Sequence, residues 1–253
     1  MRIMMWSDPT RGSRLTDQLA ERARSRGIAA SVVPWDTAGA DVGNAADGVA
    51  AAIDTASGPL PEKQERLAVL DRALPAAVPL LTCAHATSAT EASALAAGTG
   101  RIIGFGLLPP IAARMHVECA RAVRTADDAV AAAVVVWRAL GLEPVWVADG
   151  AGLVTARIVA CLANEAAFAL TEGTASATDI DRAMTLGAGY PRGPLAWAAE
   201  VGVDQVLAIL DGLYRERGED RYRAAPLLRR LAAAGPSVAP PWPDAHQQGV
   251  ERA

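Results

Sequence analysis

Chemistry in this chain starts from a spacing. In RMHVECA, residues 114–120, His116 and Glu118 stand two apart. On a strand, side chains alternate between faces, so the imidazole and the carboxylate would share one. Histidine titrates near neutrality and a neighbouring carboxylate raises its pKa, which suits a proton acceptor or donor. A second histidine, His85 in TCAHATS, follows another apolar run and is a candidate third member. Such a set could serve proton abstraction next to a carbonyl, a hydration or a carbon–carbon cleavage. Plain structural roles compete with it: His116 packing at a strand edge, and His85 capping a helix that begins near Ser88. Cys83, beside His85, reads as a small buried hydrophobe. The opposite case is RIIGFGLLPP, residues 101–110, an apolar strand end where catalytic side chains are usual. After Arg101 it offers no side chain that can carry a proton.

The elements that would position these residues follow from hydrophobic periodicity. RIMMW (2–6), AASVVPW (29–35), VPLLTC (78–83), RIIGF and EPVWVAD read as strands, with RMHVECA between the last two. SRLTDQLAERARSRG, PEKQERLAVLDRAL (61–74), SATEASALAAG and ADDAVAAAVVVWRALG read as helices. Residues 37–58 read as a polar, Gly/Ala-rich passage. Strands alternating with helices predict a mostly parallel, doubly wound sheet. After Asp149 the pattern changes to helical spacing alone, beginning with GLVTARIVACLANEAAFALTEG (152–173). The expected division is an α/β domain over 1–149, an all-helical domain over 150–234 and a Pro-rich tail over 235–253.

Composition narrows the class. The chain is 51% hydrophobic and 21% charged, with a formal net charge of −4, which argues against nucleic acid or an anionic membrane as a main partner. No run of about 18 apolar residues predicts a membrane span, and MRIMMWSDPTRG does not read as a signal peptide, so the cytoplasm is the expected location. Cys83, Cys119 and Cys161 lie far apart without a CxxC, so neither a disulfide framework nor a metal site is expected.

A family resemblance enters through TASATDIDRAMTLGAGYPRGPLAWAAEVGVD, residues 174–204. It is similar to the C-terminal domain of the L-3-hydroxyacyl-CoA dehydrogenase family, with an acidic D-I-D, a G-x-G-Y/F-P-x-G-P turn and a closing G-L-D. Asp179, Asp181, Gly187, Gly189, Tyr190, Pro191, Gly193 and Pro194 carry the match. DTASGPLPEKQERLAVLD resembles the family's E-A-x-x-E-x-x-x-x-K-x-x-x-x-x-x-L-D. TCAHATSATEASALAAGTGRIIGFGLLPPIAARMHVECA lies gap-free over its segment S-N-T-S-S to L-V-E. The resemblance implies a Rossmann-like domain followed by an all-α dimerisation domain, with NAD as cofactor and a substrate cleft between the halves.

Carried over residue by residue, the pattern meets departures. The pairing puts the family's catalytic His at Gly106, its Ser at His85 and its Asn at Ala156; the Glu that orients the His is retained as Glu118. Of the Gly-rich cofactor turn only Gly12 is left, and Asp36 is the candidate for a ribose hydroxyl. The span from Asp36 to Asp54 is too short for the family's helical CoA-binding arm. These departures predict degraded dehydrogenase machinery. Two roles are then open: a non-catalytic subunit, as a homodimer or paired with an active relative, or a repurposed cleft using His85, His116 and Glu118 on a small oxo- or hydroxyacyl ligand without NAD. A conventional NAD-dependent 3-hydroxyacyl-CoA dehydrogenase with an unusual active site is the alternative.

Overall fold

A computed structural model of the chain describes residues 1–7, 13–34, 48–57, 60–97, 100–112, 115–235 and 242. The chain divides into two compact units, Met1–Ala156 and Arg157–Ala253.

The N-terminal unit is built on a seven-stranded sheet. Its strands are β1 (Arg2–Ser7), β2 (Ala29–Pro34), β3 (Ala51–Asp54), β4 (Leu80–Cys83), β5 (Ile102–Gly106), β6 (Met115–Arg121) and β7 (Leu142–Val147), in the order β2-β1-β3-β4-β5-β6-β7. β1 to β5 run parallel; β6 is antiparallel to β5, and β7 is parallel to β6. Helices α1 (Ser13–Ser25), α2 (Leu60–Ala73), α3 (Ala89–Ala92) and α4 (Asp127–Ala139) connect them. Alternation along each strand explains the double winding. Ile3, Met5, Leu81, Ile103 and Phe105 pack on one face with Leu19 of α1 and Trp137 of α4. Met4, Trp6, Leu80 and Ile102 pack on the other with Leu67 and Leu70 of α2. Burial on both faces is why these strands read as unbroken apolar runs. This is the doubly wound, Rossmann-like sheet that the sequence predicts.

Two expectations need correcting. The polar passage over 37–58 contains β3, which pairs with both β1 and β4 at the centre of the sheet. Its sequence, AAID, hides it: two alanines carry little strand propensity, and burial on both faces removes the polar alternation that marks a half-exposed strand. The helix expected over SATEASALAAG is only Ala89–Ala92. Beyond it the chain tightens into three-residue turns, with Ala94 N–H donating to Glu91 O and Ala96 N–H to Ser93 O, and the Asp71 carboxylate takes the Ala97 N–H at 2.8 Å.

Within "RIIGF", Gly104 is required by packing: a Cβ there would come 2.9 Å from the Cβ of Ala89 as α3 crosses the sheet. Arg101 is buried and holds the Asp71 carboxylate at 2.8 Å while donating to the Asp71 and Leu74 carbonyls at the end of α2 and to the Val78 carbonyl ahead of β4.

The second unit is helical: α5 (Thr155–Thr171, its first two residues in the N-terminal unit), α6 (Ala177–Arg182), a π-turn over Ala183–Gly187, α7 (Pro194–Val201), α8 (Val203–Arg217) and α9 (Pro226–Ala233). The D-I-D and G-P residues have a local reason. Asp181 accepts from Leu195 N–H at 2.8 Å and Ala196 N–H at 2.9 Å, capping α7, and Gly193 leaves the room its side chain occupies. Among the described residues no helix is long and apolar enough to cross a membrane.

Candidate functional site

Gly106 ends β5 and pairs across the antiparallel ladder with Glu118 of β6. A Cβ built on Gly106 would lie 3.3 Å from Glu118 Oε2 and 3.0 Å from Leu153 Cδ1. Any side chain at 106 would therefore point at the carboxylate, in space that Leu153 now borders. Glu118 is engaged elsewhere. Its Oε2 accepts from Val154 N–H at 3.0 Å, its Oε1 accepts from Thr155 N–H at 2.9 Å, and Thr155 Oγ1–H donates to the same Oε1. The first N–H groups of a helix have no partner within it, and an acceptor carboxylate there also opposes the positive end of the helix dipole. Glu118 does this for the start of α5. Ala156, next in the helix, is buried.

His85 is 4% exposed and its Nε2 accepts from Leu107 N–H at 3.3 Å, one residue beyond Gly106. Acceptance at Nε2 leaves the ring proton on Nδ1. Burial, aided by the nearby Lys63 ammonium, lowers its pKa to about 4, so the imidazole is neutral at physiological pH. It does not cap the helix after Ser88: Ser88 Oγ accepts the Glu91 N–H, and Asp149 accepts from Ala89 and Thr90 at 2.8 and 2.9 Å. His116 shares a face of β6 with Glu118, as the two-residue spacing predicts, but is exposed and registers with Glu143 of β7. Of the three candidates, Glu118 lies opposite Gly106 and His85 accepts from the N–H of the next residue, Leu107. His116 contributes to neither arrangement.

Behind this site lies a buried polar cluster. Asp54, at the end of β3, accepts from Lys63 Nζ at 3.1 Å, Arg66 Nε at 2.9 Å and Thr82 Oγ1 at 2.9 Å. Lys63 and Arg66 both also donate to Ala56 O. Burial alone would raise the Asp54 carboxyl, but Arg66 and Lys63, with hydrogen bonds from Lys63 and Thr82, hold it below the usual range. Burial pushes the Lys63 ammonium below its ordinary value against the pull of Asp54. Sequence patterns miss this cluster; its one compositional trace is that Lys63 is the single lysine of the chain. Cys83 is buried and its thiol is pushed up to about 11 by that burial, which makes it inert packing. Among the described residues no cluster of His, Cys, Asp or Glu is arranged to hold a metal.

The profile of the 3-hydroxyacyl-CoA dehydrogenase C-terminal domain matches residues 152–238. A probable 3-hydroxybutyryl-CoA dehydrogenase of Bacillus subtilis is 32% identical over 173 residues, covering 68% of this chain and 60% of that protein. One from Deinococcus radiodurans is 36% identical over 152 residues, covering 59% and 55%. The crystal structure of (S)-3-hydroxybutyryl-CoA dehydrogenase from Ralstonia eutropha superposes with a TM-score of 0.69 at 25% identity, covering 92% of this chain and 93% of that one. The chain belongs to the 3-hydroxyacyl-CoA dehydrogenase family.

In sequence, it matches little more than half the length of those two curated dehydrogenases. The 3-hydroxyacyl-CoA dehydrogenase pattern gives the geometry around Gly106 its meaning: the position expected to hold a proton-transferring His is the one facing Glu118. For NAD, the family's cofactor, the two expected contacts Gly12 and Asp36 fall outside the described residues. At the end of β1, where a dinucleotide fold lets glycine backbone approach the pyrophosphate, Ser7 is buried. Lys63 and Arg66, buried cations beyond β3, spend hydrogen bonds on Asp54 and Ala56.

Proposed function

We propose that this 3-hydroxyacyl-CoA dehydrogenase-family protein does not transfer hydride, and that it acts as a non-catalytic subunit, pairing with itself or with an active relative. One observation carries the reading. The Glu118 carboxylate, which would orient a base at position 106, faces a glycine and is spent on Val154 and Thr155 at the start of α5. Oxidising a hydroxyl requires a proton acceptor within hydrogen-bond reach, and loss of one costs about 10²–10⁴ in rate. His85 is a poor replacement, since a group with a pKa near 4 is a weak base at neutral pH and its Nε2 is occupied. The experiment follows NADH oxidation by absorbance with acetoacetyl-CoA as the oxidant. The proposal expects no rate above the protein-free control; saturable turnover overturns it.

The names of the similar proteins favour a second reading, an NAD-dependent 3-hydroxyacyl-CoA dehydrogenase with an unusual active site. The two readings part on hydride transfer itself.

A further inference from the structure

Trp242 stands apart from the family domain, whose profile match ends at residue 238. Its indole is half-buried against an apolar cluster of the helical unit that includes Ala166 and Leu170 of α5, Ile180 of α6, Leu195 of α7, and Leu227 and Leu231 of α9. Its Nε1–H donates to the Leu195 carbonyl at 3.1 Å. These two contacts match the two halves of an indole, a large apolar body and a single donor that needs an acceptor when buried. The surrounding sequence is APPWPDAH, with prolines at 240, 241 and 243. Prolines reduce the conformational freedom a segment loses when it is held, which favours capture through one large side chain. Every residue of the receptor lies inside the family domain, whereas the anchor lies outside it.

We propose that the helical unit carries an indole-recognition pocket, filled in cis by Trp242 of the chain's own C-terminal segment, and that this capture masks apolar surface on α6 and α9. The pocket's chemistry is specific: an apolar cluster with the Leu195 carbonyl as acceptor selects tryptophan over phenylalanine, which lacks the donor. A tethered ligand competes at a millimolar effective concentration, so the native protein presents the pocket as closed. The inference does not depend on whether the chain transfers hydride.

The test uses the full-length protein, its Trp242→Ala and Trp242→Phe variants, and a fluorescent peptide spanning residues 236–248. The peptide is expected to bind the Trp242→Ala protein at least about tenfold more tightly than the wild type, because the cis competitor is gone. A peptide carrying Trp242→Ala should lose at least about tenfold in affinity for that same protein. If Trp242→Ala does not fold, Trp242→Phe supplies the reading: amide exchange over 194–201 should be faster than in the wild type. Equal affinity of the peptide for wild type and variant, binding to neither, or unchanged exchange overturns the proposal.

Discussion

His85 shows how one side chain's surroundings decide its chemistry. Taken from water and placed near Lys63, its imidazole titrates at about 4 instead of 6.5. Because the folded pKa lies below the unfolded one, the neutral ring contributes stability fully above about pH 6.5, and that contribution is lost as pH falls toward 4. The span between the two values corresponds to about 3 kcal/mol. A His85→Gln variant, unfolded by urea across this range, should show a shallower loss of stability on acidification than the wild type; parallel curves would mean that His85 does not govern it. At this scale the sequence was legible in part. That Gly106 and Glu118 belong together followed from the family pattern, and that His116 and Glu118 share a face followed from spacing. The engagement of Glu118 by Val154 and Thr155, and of α3 by Asp149, was not legible, because those partners are 36 to 60 residues apart. Local pattern carries no signal for them.

At the scale of elements, β3 is the instructive case. Strands such as β1 and β5 announce themselves through apolar runs, whereas Ala51–Asp54 relies on its neighbours on both sides for its pairing. Its last residue is what ties it to α2: Asp54 joins Lys63 and Arg66 of that helix and Thr82 of β4 in one buried cluster. Removing one partner of a buried ion pair leaves uncompensated charge, which costs about 3–5 kcal/mol. Asp54→Asn keeps the shape and removes the charge, so denaturant unfolding should show a loss of that order. A loss below about 1 kcal/mol, the worth of an exposed pair, would contradict the role assigned to the cluster. Lys63 also bears on how composition is read. A nearly lysine-free chain invites dismissal of lysine, yet the one present is buried at the centre of this network.

For the whole molecule, fold and activity rest on different residues. The doubly wound sheet, the helical unit and the family membership all agree with the sequence, because buried faces and the α6–α7 turn with its Asp181 cap leave strong local patterns. The proposed loss of hydride transfer rests on a few atoms at the end of β5, and a fold by itself does not fix activity. The most direct measurement is reduction of acetoacetyl-CoA by NADH with the purified full-length protein. The account predicts no NADH oxidation above the protein-free rate at any pH near neutrality. Turnover in the ordinary enzymatic range of about 1–10³ s⁻¹ would contradict it and establish the dehydrogenase reading.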